Sequence, residues 1–235
     1  MLSIIIPTKN EEKCLPLLLN SISSQNYPAE VIVADNHSID RTRKIAEEYD
    51  CKIVDGGILA EGRNRGAKAS KGDLLLFIDA DIIIPEGFLK QSVNEFYKRN
   101  LDIAGTQQKV ILTGKRINDF QYNFFYWCAN QWMKMMQNTK KPYMQVCMFA
   151  KRELHERIGG FNPLLIFAED SEYSKRAAVL GARFGILESS KVFISPRRFD
   201  KSGSGLALKY LYFNTARLFG HEFGPNSKAK YDYDY

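Results

Sequence analysis

Leu74-Leu75-Leu76-Phe77-Ile78 is apolar at every position and stops abruptly at Asp79-Ala80-Asp81. A strand with no polar alternation offers neither face to water, so both faces must be covered. That requirement points to an α/β sheet with helices on each side. The pattern recurs upstream. Ile4-Ile5-Ile6 is a β-branched run closed by Pro7, residues 30–34 end at Asp35-Asn36, and residues 51–54 end in the turn Asp55-Gly56-Gly57. Helix-length segments lie between these runs. Leu15, Leu18, Leu19 and Ile22 recur at helical spacing, Ser38-Ile39-Asp40 opens residues 42–49, and residues 62–69 are rich in basic residues and alanine. The expected architecture is α/β, a single mixed, mainly parallel sheet flanked by helices.

Beyond Pro85, residues 88–98 read as a helix, 103–112 as a strand and 118–136 as one long aromatic segment. Residues 144–150 read as a strand, 153–158 as a short helix and 171–180 as a helix closed by Gly181. Residues 184–186 and 192–194 read as two separate short strands. The expected domain spans 1–200, divided at the change of character into 1–110 and 111–200. Residues 201–235 are expected to form an amphipathic helix and a flexible tail.

Several classes are set aside on chemistry. The unbroken apolar runs reach only five or six residues, whereas a bilayer span needs roughly 20, and the N-terminus has no secretory leader pattern. Cys14, Cys51, Cys128 and Cys147 form no C-x-x-C pair, which argues against structural zinc and for reduced, mostly buried thiols in a cytoplasmic protein. A Rossmann oxidoreductase would carry G-x-G-x-x-G after its first strand, and a sugar-nucleotide pyrophosphorylase a glycine-rich loop there. Thr8-Lys9-Asn10-Glu11-Glu12 contains no glycine. The net charge of +6 favours an anionic partner.

The carboxylates stand where ligands gather, at the carboxyl ends of strands. Asp79 and Asp81, one residue apart, suit a hard divalent cation that also meets phosphate oxygens. Asp35 can accept hydrogen bonds from a base or ribose, and Arg63 or Arg65 can reach a base or a diphosphate, although a solvated helix face is an equal reading for Arg65. His37, His155 and His221 are not spaced as a metal site, and His155 is expected on a helix surface.

Four segments in order carry a resemblance: Ile6-Pro7-Thr8-Lys9-Asn10-Glu11-Glu12, residues 33–42, Gly62-Arg63-Asn64-Arg65-Gly66, and Phe77-Ile78-Asp79-Ala80-Asp81. Together they resemble the family-2 glycosyltransferases of the GT-A fold, inverting enzymes that use nucleotide sugars, and the resemblance makes 1–110 a Rossmann-like nucleotide-sugar half and 111–200 an acceptor half. The resemblance implies that Pro7, Thr8, Glu11, Asp35 and Arg63 contact the nucleoside of a UDP- or GDP-sugar. It implies that Asp79-Ala80 meets the ribose, and that Asp81, with Asp79, holds Mg²⁺ or Mn²⁺. Many relatives have two aspartates after the second strand, where this chain has Asp35-Asn36.

Downstream, Gly159-Gly160-Phe161 and Glu169-Asp170 resemble further elements of that family, which makes Asp170 the expected general base and Glu169 a positioner of acceptor hydroxyls. The bland reading of both carboxylates is favourable charge at a helix N-terminus. Arg197 and Arg198, in Ser195-Pro196-Arg197-Arg198, are candidates for the departing diphosphate or an acceptor phosphate. Expected partners are a nucleotide-sugar donor and a glycan or lipid-linked acceptor, not nucleic acid. A non-catalytic nucleotide- or glycan-binding module is the competing class. The basic, apolar last helix is a candidate for contact with the inner face of a membrane, packing on the domain being the ordinary alternative.

Overall fold

The computed structural model describes residues 1–111, 116–144, 147–165 and 168–195. Its element order is β1 (Leu2–Thr8), α1 (Leu15–Ser23), β2 (Ala29–Asp35), α2 (Thr42–Glu48), β3 (Lys52–Asp55), α3 (Leu59–Ala69) and β4 (Leu74–Ile78). Then come β5 (Ile82–Ile83), α4 (Phe88–Lys98), β6 (Ile103–Val110), α5 (Arg116–Met136), β7 (Cys147–Lys151), α6 (Arg152–Arg157), α7 (Glu169–Val179) and β8 (Phe184–Ile194). One eight-stranded sheet runs in the order β3-β2-β1-β4-β7-β6-β8-β5. The first four in this row are mutually parallel, β7 runs antiparallel to both β4 and β6, and β6 pairs parallel with β8. Mixed, mainly parallel pairing is therefore what the sequence led us to expect.

Alternate residues of each central strand enter different cores, as the period of two demands. Ile4, Ile6, Leu74, Leu76 and Ile78 pack with Leu15, Leu18 and Leu19 of α1 and with Phe88 and Phe96 of α4. Ile5, Leu75 and Phe77 point the other way, to Ala60 and Ala67 of α3, Leu154 of α6 and Tyr173 of α7. Burial on both faces explains why β4 contains no polar residue. Helix α3 lies very close to β1, because a Cβ on Gly66 would stand 2.4 Å from Ile5 Cγ2.

Two sequence expectations change. Residues 184–194 form one strand, not two, because its backbone stays paired with β6 across a register shift between Thr106 and Gln107. Glu95 of α4 secures the extra residues by accepting hydrogen bonds from the Glu188 and Ser189 amides at 2.7–3.0 Å. The cysteines are not mostly buried: Cys147 is, Cys14 and Cys51 are half-buried and Cys128 is exposed, with no disulfide among them. Among the described residues, no helix is long and apolar enough to cross a membrane. The expected last helix, the tail, Arg197, Arg198 and His221 all lie outside the described residues.

Candidate active site

Strand register places three side chains in a row. Thr8, Asp35 and Asp55 pair with one another at the carboxyl ends of β1, β2 and β3. The loops that follow are sewn together. Ser38 Oγ accepts a hydrogen bond from the Asn10 amide (2.8 Å), Asn10 Oδ1 accepts one from the Ile39 amide (3.0 Å), and Thr42 Oγ1 accepts one from the Glu11 amide (2.8 Å). Asn10 and His37 adopt left-handed conformations, with φ of 53° and 52°, that turn the two loops toward each other. The result gathers Pro7, Thr8, Glu11 and Asp35 on one rim, all buried.

Asp35 is fully buried and its carboxylate is well supplied. It accepts hydrogen bonds from Thr8 Oγ1 (3.3 Å) and the Ser38 amide (3.1 Å), and Arg43 Nη1 donates to it at 3.2 Å while also reaching Asp55 at 3.3 Å. Burial alone would pull the Arg43 pKa down, and the bonds and charges of the two aspartates more than reverse it. Sequence reasoning missed Arg43. It sits within an ordinary amphipathic helix, and only the parallel register shows that it spans two strand ends.

At the centre is Arg63. Its guanidinium is buried and forks between the end of β4 and the start of α7: Nη2 donates to Asp79 Oδ1 at 2.9 Å and Nη1 to Glu169 Oε1 at 2.5 Å. These partners stand 16 and 106 residues away along the chain. Desolvation would lower the pKa of Arg63, but the charges of Asp79, Glu169 and Asp170 outweigh it and raise the pKa, so the guanidinium stays charged. Arg65, the alternative, faces solvent and reaches Glu61 at only 3.7 Å. Glu169, expected to face acceptor hydroxyls, is instead buried against Arg63. Asp170 is half-buried at the start of α7, and its Oδ1 accepts a hydrogen bond from the Ser171 amide at 2.6 Å.

Asn64 fixes the segment beneath that fork. It donates to the Phe161 carbonyl and accepts from the Phe161 amide, both at 2.8 Å, as a paired strand would. Arg176 donates to the carbonyls of Ile158 and, at 2.6 Å, Gly160. Gly160 has φ of 73°, and a Cβ there would stand 2.5 Å from Asn64 Oδ1, so glycine is required. The loop so held presents the Phe161 ring 5.3 Å from the Arg63 guanidinium, in cation–π contact.

His155 lies below Phe161, contrary to the surface position expected from its charged neighbours. It is buried, its ring centroid 5.4 Å from that of Phe77, and its Nδ1 is 3.1 Å from the Tyr173 hydroxyl. Burial, then the charges of Arg152 and Arg176, push its pKa down to about 4. The unfolded chain therefore binds this proton more tightly, so stability is fully present above pH ~6.5 and is lost as pH falls toward 4. The expected loss is ~3 kcal/mol across that window. Chemical denaturation of wild type and His155→Gln at pH 7 and pH 4.5 checks it. The difference between the two proteins should shrink as the pH falls, and a pH-independent difference would remove His155 as the cause.

Asp81 is buried at the mouth of β4, two residues from Asp79, and its carbonyl accepts a hydrogen bond from the Ser195 amide at 3.1 Å. Asp79 and Asp81 contribute oxygen donors only, the chemistry that suits Mg²⁺ or Mn²⁺. Among the described residues no three His, Cys, Asp or Glu side chains converge. A cation here would thus take the rest of its shell from phosphate oxygens and water, the usual habit of Mg²⁺.

Comparison with known proteins identifies the family. The profile described as "Glycosyl transferase family 2" matches residues 3–159. Glycosyltransferase AglE of Haloferax volcanii is 29% identical over 190 residues, 76% of this chain and 62% of that protein. Poly(ribitol-phosphate) beta-N-acetylglucosaminyltransferase TarS of Staphylococcus aureus is 33% identical over 118 residues, 46% of this chain and 21% of that protein. The chain thus spans less than two thirds of either relative's length. Among solved structures, S. aureus TarS 1-349 in complex with UDP-GlcNAc superposes with a TM-score of 0.65 at 24% identity, covering 83% of this chain and 58% of that one. Mannosyltransferase PcManGT from Pyrobaculum calidifontis, in complex with GDP-Man and Mn²⁺, gives 0.62 at 22%, covering 82% and 56%. These superpositions show the expected GT-A fold. With two thirds of its length matched by the profile, and the motif residues standing at the rim where the fold binds its ligands, the chain belongs to glycosyl transferase family 2.

Proposed function

We propose that this chain transfers a sugar from a UDP- or GDP-sugar to an acceptor hydroxyl or lipid phosphate, inverting the anomeric centre. The observation that carries this reading is the Arg63 fork. One guanidinium joins the acidic end of β4, where a diphosphate and cation would sit, to the start of α7, where the acceptor's base would stand. A donor and an acceptor side held by one rigid group is what a two-substrate displacement needs.

In this reading Pro7, Thr8, Glu11 and Asp35 receive the nucleoside, and Asp79-Ala80 the ribose. Asp81, with Asp79, holds Mg²⁺ or Mn²⁺, which when bound neutralises charge on the diphosphate. Asp170 accepts the proton of the acceptor hydroxyl as that oxygen bonds to the anomeric carbon. The carbon–oxygen bond to the diphosphate breaks on the opposite face, and its electron pair leaves with the nucleoside diphosphate. Glu169 keeps Arg63 oriented beside that base. Arg197 and Arg198 are assigned to phosphate oxygens of donor or acceptor.

A thermal-shift panel of UDP-, GDP-, CDP- and dTDP-sugars with and without Mn²⁺ or Mg²⁺ tests the reading. A ligand at a hundred times its Kd adds about 2.7 kcal/mol, roughly 5–10 °C in a chain of this size. The expected pattern is a cation-dependent shift with UDP or GDP, and Asp81→Asn should lose its cation-dependent part. A panel with no shift, or a shift indifferent to Asp81→Asn, counts against the assignment.

A further inference from the structure

Opposite the face that α5 packs on the sheet runs a ridge of Phe120, Phe124, Trp127, Cys128, Gln131 and Met135, all exposed. Four of these are large and apolar, with exposures of 74% for Phe120, 58% for Phe124 and Trp127, and 70% for Met135. Their spacing keeps them on one stripe, about 22 Å long at 1.5 Å per residue. The Phe124 and Trp127 rings stack with centroids 6.0 Å apart, which makes the centre of the stripe one continuous aromatic patch. No charged residue interrupts it.

The inner face already accounts for how α5 is anchored. Tyr122, Asn130 and Met133 are buried, and the Asn130 side chain exchanges two hydrogen bonds with the Gln108 backbone of β6, at 2.8 and 2.9 Å. Packing on the sheet therefore does not require the outer aromatics. A contiguous apolar stripe of this kind on a surface marks a contact with something else.

The charge of this stretch of sequence points to the partner. Between residues 109 and 141 the sequence carries six basic residues, Lys109, Lys115, Arg116, Lys134, Lys140 and Lys141, against one acidic residue, Asp119, and of these Lys134 is paired with Glu188 at 2.7 Å. That is +5 of the chain's net +6. A second copy would bring the same basic segment against this one, and residues 196–235 are basic too, with seven Lys and Arg against four Asp and Glu. Both would meet like charge. An uncharged aromatic stripe on a helix followed by the exposed Lys140 and Lys141 fits an anionic bilayer surface, where rings settle at headgroup depth and lysines meet lipid phosphates.

We propose that α5 seats this chain on an anionic lipid leaflet, with the Phe124–Trp127 ridge at headgroup depth and Lys140 and Lys141 on the phosphates. This moves the expected membrane contact from the last helix to α5. It does not rest on the donor reading, and the donor thermal shift tests that reading separately.

The chain's two tryptophans, Trp127 and Trp132, both lie on α5, and Trp132 is half-buried against the inner cluster of Met133, Tyr143 and Ile186. In the full chain carrying Trp132→Phe, emission then comes from Trp127 alone. On vesicles of phosphatidylcholine with phosphatidylglycerol at low salt, that emission should shift to the blue and be quenched by brominated acyl chains. Pure phosphatidylcholine should give little of either. Adding Phe124→Ser should weaken partitioning roughly tenfold or more, as should Lys140→Glu with Lys141→Glu. The melting temperature and donor shift of these surface variants should stay unchanged, which separates lost attachment from lost folding. Vesicle binding with Trp127 unmoved would place attachment elsewhere. No binding, or a Trp127 already shielded in a concentration-dependent dimer or released only when residues 196–235 are removed, would equally overturn the proposal.

Discussion

Arg63→Met should destabilise the protein by about 3–5 kcal/mol, because it leaves the buried carboxylates of Asp79 and Glu169 without their shared cation. In a chain of this length that is a fall of roughly 6–20 °C in Tm. Arg63→Lys should recover only part of it, since a single ammonium cannot reproduce a fork whose two nitrogens point to different elements. Arg65→Met is the internal control. It removes an equal charge two residues away, but from an exposed side chain with a 3.7 Å contact, and should change stability by less than about 0.5 kcal/mol. Thermal or urea denaturation of the three variants decides the matter. Equal effects for Arg63→Met and Arg65→Met would mean that the fork contributes no more than a surface ion pair. Placing Arg63→Met in a Glu169→Gln background should reveal strong coupling between the two residues.

Asp170→Asn should lower turnover by about 10²–10⁴-fold while leaving nucleotide-sugar affinity nearly unchanged. The substitution keeps size and a hydrogen-bond acceptor for the Ser171 amide, but removes the ability to take a proton. If Asp170 were only a favourable charge at the start of α7, the cost would be at most about 1 kcal/mol of stability, with turnover intact. The assay follows nucleoside diphosphate released from the donor picked out by the thermal-shift panel, with the acceptor or water as nucleophile. A non-catalytic binding module would show no turnover for the variant to lose.

The acidic strand ends were legible in the sequence for a simple reason. A strand buried on both faces must be apolar throughout, so the first charged residue after it marks where the sheet meets its crevice, as at Asp79 after β4; in β2, which opens half-buried with Glu30, the sign is the fully buried run that closes on Asp35. Asp170 and Glu169 were visible as a pair, but the sequence could not show that Glu169 turns inward, because its partner Arg63 is 106 residues distant. The same distance hid the Asn64–Phe161 pairing, made between residues 97 apart. His155 misled through its neighbours. Arg152-Glu153-Leu154-His155-Glu156-Arg157 reads as solvated, yet the aromatic cluster of Phe77, Phe161 and Tyr173 encloses the ring. In β8 the polar stretch from Glu188 separated the two short strands expected from the sequence, and pairing with β6 on either side of it, with the support of Glu95, makes them one.

In the proposed function Asp35, Arg63, Asp79 and Asp81 act together, in one crevice, on an activated sugar. A crystal structure with the selected nucleotide sugar and Mn²⁺ tests this. The nucleoside should lie against Asp35 and the ion between Asp81 and the diphosphate, with the anomeric carbon facing Asp170. A donor bound away from β1 and β4, or an ion with no ligand from Asp79 or Asp81, would contradict it.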